Sequence, residues 1–275
     1  MSKIKFTKMS GTLNDFIIID NRSKTLDADH LSDWVQKICT RKYSIGADGL
    51  ILIEKSDKAD FKWRFFNCDG SEAEMCGNGS RCAARFSYLE GITGSNLTFE
   101  TLAGIIKAQV NGNLVKVQMT DPSQLKLDSN LTIEGSTVDF SKINTGVPHV
   151  VIKVENLEDF TLQTLLTLGR TIRMHKYFEP KGTNVNFIEI VDDSHVKVKT
   201  YERGVEDITY ACGTGVVASA LIAHAKKLAQ SPIEIETPGG KLMVYFEFDG
   251  RNYTNVFLEG DARVVYRGEM PDESI

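Results

Sequence analysis

Two copies of a Cys-Gly-x-Gly motif, Cys76-Gly77-Asn78-Gly79 and Cys212-Gly213-Thr214-Gly215, constrain this chain more than any other feature, because the sequence around them also repeats. Glu100-Thr101-Leu102-Ala103-Gly104 matches Glu236-Thr237-Pro238-Gly239-Gly240, and both pairs of segments lie 136 residues apart. Upstream of the motifs the spacing is 135: Gly11 to Asn14 falls on Gly146 to His149, Ile51 to Glu54 on Asn186 to Glu189, and Lys62 to Asn67 on Lys197 to Glu202. One inserted residue accounts for the change, and a register kept over so many segments marks a duplicated chain.

Each half then reads in the same order: a short motif entering a strand, a second strand, an alternating strand, the Cys-Gly-x-Gly turn, a helix and a hairpin. Phe16 to Asp20 and Val150 to Val154 are apolar β-branched runs, and Val196 to Tyr201 alternates as a half-buried strand does. The residues from Gly79 to Glu90 and from Gly215 to Ala229 favour helix. Val216 to Ala223 is apolar on nearly every side, so that helix should be buried. The spacing predicts an α/β (α+β) fold of two pseudo-symmetric domains, each a curved, mainly antiparallel sheet or barrel around a central helix, with the active site in the cleft between them. Leu114 to Thr120 and Asn255 to Val265 add further strands. Asp121-Pro122-Ser123 is the expected crossing, giving domains of 1–120 and 121–263, with a strand from 264–275 returning to the first.

The chain has 275 residues, 41% hydrophobic, enough for a sizeable core, and a net charge of −5 with no basic block to track phosphates. Nucleic acid is therefore not an expected partner; a small-molecule amino-acid substrate is. No apolar run reaches the roughly 20 residues that span a bilayer, and the start lacks the apolar core of a signal peptide, so the expectation is a cytoplasmic protein without a membrane partner. Five cysteines, Cys39, Cys68, Cys76, Cys82 and Cys212, point to free thiols rather than a disulfide framework. Cys76 and Cys82 come without a CxxC or HxxxH companion, so no metal site is expected.

Both motif cysteines stand where a helix begins, and there the unpaired N–H groups and the dipole favour a thiolate. The glycines that follow allow close approach and leave N–H groups able to hold a carboxylate. If the two halves face one another, two thiols meet at one carbon. Inverting an α-carbon needs one group to remove the proton from one face and another to deliver a proton to the other, while oriented N–H groups stabilise the carbanion in place of a cofactor. Taken alone, a cysteine before a glycine turn is more often a buried small hydrophobe, and it is the duplicated placement that favours chemistry. Gly213-x-Gly215-x-x-Ala218 with Glu236 downstream loosely fits a dinucleotide fingerprint, but the polar stretch Glu202 to Tyr210 separates it from the strand that pattern needs.

The run Phe66-Asn67-Cys68-Asp69-Gly70-Ser71-Glu72-Ala73-Glu74-Met75-Cys76-Gly77-Asn78-Gly79-Ser80-Arg81-Cys82 resembles the signature of diaminopimelate epimerases, and Tyr201-Glu202-Arg203-Gly204 with Ala211-Cys212-Gly213-Thr214-Gly215 resembles its second half. Gly11 to Phe16, Gly46 to Gly49, Gly146 to His149 and Gly182 to Val185 extend the likeness along nearly the whole chain. The resemblance implies cofactor-free interconversion of LL- and meso-2,6-diaminopimelate, in lysine and peptidoglycan precursor synthesis, by a homodimer. It implies Cys76 and Cys212 as the acid–base pair, and Gly77, Asn78, Gly213 and Thr214 as donors to the reacting carboxylate. Glu202, with Asn14 and His149, would take the reacting ammonium end or orient the site; Asn67, Asn184 and Arg203 would grip the distal end. Without the resemblance, Asn14, Asn67 and Asn184 read equally well as turn residues, Glu202-Arg203 as a surface ion pair and His149 as a satisfied strand histidine. Val147 stands where many family members carry Asn, and Gly49 where many carry Gln. These departures leave open another racemase of the same fold, acting on histidine, proline or diaminopropionate.

Overall fold

The computed structural model describes residues 4–27, 31–133, 135–271 and 273. The chain separates into two units, the first running up to Val117 and resuming at Gly260, the second covering Gln118–Glu259.

The first unit opens with an antiparallel hairpin, β1 (Ile4–Gly11) and β2 (Asn14–Asp20). Phe16 to Ile19 are all buried, so β2 offers no face to water, as expected of a strand covered on both sides. Its parallel neighbour β3 (Gly49–Glu54) is a similar run, reached through a crossover that carries α1 (Ser32–Cys39). Val35 and Ile38 of α1 pack on Ile17, Ile19, Leu50 and Leu52, one alternating face of the two strands. β4 (Phe61–Asn67) pairs antiparallel with β3, and the short β5 (Glu72–Ala73) folds back on it. From there α2 (Gly77–Leu89) leads to β6 (Asn96–Thr101), parallel to β4, and the meander ends with β7 (Gly104–Asn111) and β8 (Leu114–Gln118). Because α2 touches β1, β2, β3 and β7, the sheet bends around it. Gly79 is close enough to Phe16, Ile51 and Trp63 that they form its seat.

The second unit repeats these pairings strand for strand. β9 (Ser123–Ile133) pairs with β10 (Ser136–Asn144), and β10 with β11 (Pro148–Val154). A crossover through α3 (Leu162–Arg173) makes β12 (Asn184–Ile190) parallel to β11, and β13 (His195–Glu202) returns antiparallel with the small β14 (Asp207–Thr209) beside it. α4 (Gly213–Ala225) then leads to β15 (Ile233–Thr237), parallel to β13, and on to β16 (Gly240–Phe248) and β17 (Tyr253–Asp261). Register follows the sequence repeat: Ile51 lies opposite Phe65 as Asn186 lies opposite Thr200. Every residue from Gly215 to Ala223 of α4 is buried, and the helix touches β10 to β13, β15 and β16. Each of its larger side chains contributes about 1.5–3 kcal/mol by leaving water.

In the first unit the chain closes with β18 (Arg263–Met270), paired antiparallel with β1 much as β9 pairs with β10. The expected strand region Asn255 to Val265 is thus two strands, broken at Ala262, whose N–H turns aside to Asn113 O at 2.9 Å. Reading one helix per half also missed α1 and α3, the crossover helices that let β2–β3 and β11–β12 run parallel. Both central helices begin two residues before the expected Gly79 and Gly215. No helix among the described residues is long and apolar enough to cross a bilayer.

α3 lies so close to β13 that a Cβ built on Gly169 would sit 2.6 Å from Tyr201 Cβ. Alanine in a helix interior ordinarily gains about 1 kcal/mol over glycine. Here the sign reverses: Gly169→Ala should lose about 1–3 kcal/mol through overpacking, measured by urea unfolding, and a variant as stable as the parent would contradict this packing.

Candidate active site

Cys76 occupies the N-cap of α2 with extended backbone, and its Sγ accepts the Gly79 N–H at 3.4 Å. It is there because β4 ends at Asn67 and β5 turns the chain into the helix, so the thiol stands among the first-turn N–H groups. Asn14, first residue of β2, brings its Oδ1 to 3.8 Å from Cys76 Sγ and accepts the Asn78 Nδ2–H at 3.3 Å. Asn14 Nδ2 in turn donates to Asp48 Oδ2 at 2.6 Å. The buried Arg81, one turn into α2, donates to Asn78 Oδ1 at 3.0 Å, Thr12 Oγ1 at 2.6 Å, Gly77 O at 3.4 Å and Asp261 O at 3.2 Å. Asn67, at the end of β4, donates from Nδ2 to Ser71 Oγ at 3.1 Å.

Charge is concentrated behind Asn14. Asp15 takes both Arg41 Nη groups, at 3.0 and 2.6 Å, and the buried Lys8 at 2.9 Å, and Lys8 also donates to Gly46 O. Burial works to raise the Asp15 carboxyl, but Arg41 and Lys8 outweigh it and hold the group below its usual range.

Cys212 occupies the N-cap of α4, also with extended backbone but without a side-chain hydrogen bond to the first turn, and is 7% exposed with Thr214 Oγ1 3.5 Å from its Sγ. His149, at the start of β11, places Nε2 2.9 Å from Thr214 Oγ1, and its Nδ1 lies 3.1 Å from Asn186 Nδ2. Asn186 is itself oriented, accepting Thr200 Oγ1–H at 2.9 Å and donating to Val150 O at 2.8 Å. An amide N–H facing Nδ1 leaves the imidazole proton on Nε2, directed at Thr214. Burial, joined by the Arg203 charge, pushes His149 down to about 3, so it is neutral. Burial raises the carboxyl of Glu202, the last residue of β13, against the lowering influence of the nearby Thr209 and Cys212 side chains. Asn184 accepts the Arg203 N–H at 2.8 Å and donates to Pro148 O at 3.2 Å; Arg203 Nη1 donates to Lys181 O at 3.1 Å. Gly215 must be glycine, because a Cβ there would lie on Asn186 Oδ1.

Each unit thus gathers its own expected residues: Asn14, Cys76, Gly77 and Asn78 in the first, with Asn67 at the end of the neighbouring β4, and His149, Asn184, Glu202, Arg203, Cys212, Gly213 and Thr214 in the second. Asn14 and His149 are equivalent in the repeat, and each touches the side chain that follows Cys-Gly, Asn78 or Thr214. His149 and Asn184 are 1% and 3% exposed. Sequence reasoning gave no role to Asp48, Arg81, Asn186 or Thr200. The repeat register could have pointed to Asn186 and Thr200, which match the apolar pair Ile51 and Phe65 and so stand out as polar residues at core positions. Gly49 is imposed by packing, since a Cβ would meet Phe66 O at 2.5 Å and the Phe65 ring at 2.7 Å. The other thiols are unsuited to acid–base work: burial pushes Cys39 and Cys82 up to about 12 and raises Cys68. Among the described residues no group of three or more His, Cys, Asp or Glu is placed to hold a metal ion.

Solved structures share this fold. A phenazine biosynthesis protein of the PhzF family from Bacillus anthracis superposes with a TM-score of 0.73 at 18% identity, over 98% of this chain and 100% of that one. A hydroxyproline epimerase from Agrobacterium vitis gives 0.71 at 16%, over 98% and 93%. Sequence relatives are nearer: the diaminopimelate epimerase of Aquifex aeolicus is 46% identical over 281 residues, 98% of this chain and 99% of the relative. That of Hydrogenobaculum sp. is 44% identical, over 97% and 98%. The model of the family described as diaminopimelate epimerase matches residues 6–125 and 141–265. With both halves matched and the relatives aligned nearly end to end, this chain belongs to the diaminopimelate epimerase family and is an isomerase.

Proposed function

We propose that this chain interconverts LL- and meso-2,6-diaminopimelate without a cofactor, with Cys76 and Cys212 as the two acid–base groups. The observation that carries the reading is that each unit presents a cysteine as the N-cap of its central, largely buried helix. One thiol, as thiolate, takes the α-proton, and the other, as thiol, gives its proton to the opposite face; their states are exchanged in the reverse direction. The charge that appears as the C–H bond breaks spreads into the substrate carboxylate. In this reading the first-turn N–H groups around Gly77, Asn78, Gly213 and Thr214 stabilise that charge, being oriented before the reaction starts. Glu202 and Asn14 serve the ammonium end, His149 holds Thr214 in place, and Asn67, Asn184 and Arg203 serve the distal end. The same reading makes the protein a cytoplasmic homodimer supplying lysine and peptidoglycan precursors.

The purified protein, given LL-diaminopimelate in heavy water with nothing added, should incorporate deuterium at the α-carbon, followed by mass spectrometry. No incorporation overturns the proposal, and exchange only with proline, histidine or 2,3-diaminopropionate replaces the substrate. Cys76→Ser and Cys212→Ser should each lower the turnover number by about 10²–10⁴-fold, the ordinary worth of a positioned acid or base.

Neutral His149 has a consequence for acid stability. Unfolded, the imidazole takes a proton near pH 6.5; folded, it does not until about pH 3. Between those values the unfolded chain binds the extra proton, so this contribution is present above pH 6.5 and is lost as pH falls, at up to ~1.4 kcal/mol per pH unit. His149→Gln should therefore show a shallower loss of stability from pH 6.5 to 4 than the parent in urea titrations, and parallel curves would refute a buried neutral His149.

A further inference from the structure

We propose that Asp48 and Arg81 are positioning residues for Cys76, fixing the direction of the two amides between them so that an oxygen, not an N–H, faces the thiol. This rests on the acid–base role proposed for Cys76. The four side chains form a chain with unambiguous ends, since a guanidinium can only donate and a carboxylate only accept. Arg81 donates to Asn78 Oδ1 at 3.0 Å, which turns Asn78 Nδ2 toward Asn14 Oδ1 at 3.3 Å. That leaves Asn14 Nδ2 for Asp48 Oδ2, at 2.6 Å. Rotating either amide by half a turn would set N–H against N–H at one side and oxygen against oxygen at the other.

Both ends are anchored. Arg81 is fully buried and held by Thr12 Oγ1, Gly77 O and Asp261 O. Asp48 accepts the Asp15 N–H at 3.1 Å and pairs with Arg41 at 3.0 Å. The polarity decides what Cys76 meets, with the Gly79 N–H on one side at 3.4 Å and Asn14 Oδ1 on the other at 3.8 Å. A neutral S–H uses both, accepting from the first and donating to the second; a thiolate can use only the first. The chain therefore favours Cys76 as the proton-bearing partner when substrate arrives. By the repeat, Asp48 and Arg81 correspond to Thr183 and Val217, so this device belongs to the first unit alone.

Two variants of Asp48 separate this role from simple charge. Asp48→Ala removes the acceptor, whereas Asp48→Asn removes the charge but keeps an oxygen for Asn14, and Arg81 still sets the direction. Asp48→Ala should lower the turnover number for LL-diaminopimelate about 10- to 100-fold, as misplacement of a catalytic group does, with KM little changed. Asp48→Asn should stay within about threefold of the parent, and Asp48→Ala added to Asn14→Ala should cost less than about twofold more, because the pair is coupled. Iodoacetamide labelling of Cys76, read by peptide mass mapping, tests the device without substrate: faster in Asp48→Ala, unchanged in Asp48→Asn. Equal losses or equal labelling in the two variants, or an undiminished Asp48→Ala loss in the Asn14→Ala background, would overturn the inference. If the parent does not turn over diaminopimelate but labelling follows this pattern, the proposed substrate fails and the positioning role stands. The Asp48 side chain is 43% exposed, so neither variant opens a core cavity, and Asp48→Asn doubles as the folding control.

Discussion

A helix with no polar side has nothing to show to water, and that constraint organises the second half of this protein. Gly215 to Ala223 are buried without interruption, so α4 has to be enclosed, and a sheet can enclose a helix only by curving across it. Strands β10 to β13, β15 and β16 do so, and α2 is ringed in the same manner by β1, β2, β3 and β7. As in any α-helix, the first turn leaves backbone N–H groups without helical partners, and in both central helices a cysteine stands at that end.

The duplication is exact in topology and loose in chemistry. Asn14 and His149 enter the same strand at the same point, yet they are held by different means. His149 is fixed by neutral groups, Asn186, Thr200 and Thr214, in an interior where burial strips it of its proton. Asn14 is fixed against Asp48, within reach of the Lys8, Asp15 and Arg41 charges. A repeated scaffold can thus hold chemically unlike surroundings at equivalent positions.

Much of this was readable from residues alone. The 135- and 136-residue registers foretold the strand correspondence, and glycines after a cysteine marked the helix starts. The helices nonetheless begin at Gly77 and Gly213, because glycine's poor helix propensity hides a first turn whose geometry it readily adopts. α1 was too short to show a period, whereas β9 carries an alternation that could have been read, with Leu127, Ser129, Leu131 and Ile133 covered and Asp128, Asn130 and Thr132 exposed. The Arg81–Asn78–Asn14–Asp48 chain was invisible for another reason: its charged ends have no counterparts in the second copy, so comparing the halves could not reveal them.

The return of β18 to β1 bears on how the molecule is made. Thr12 N–H binds Asp261 Oδ1, Arg81 Nε binds Asp261 O and Arg85 binds Ala262 O, all drawn from the far end of the chain. During synthesis the amino-terminal half therefore emerges without its closing strand and without two carbonyl acceptors for its inner arginines. The segment spanning Gln118–Glu259 is one uninterrupted stretch, so all of it has been made before the first unit can complete its pairing.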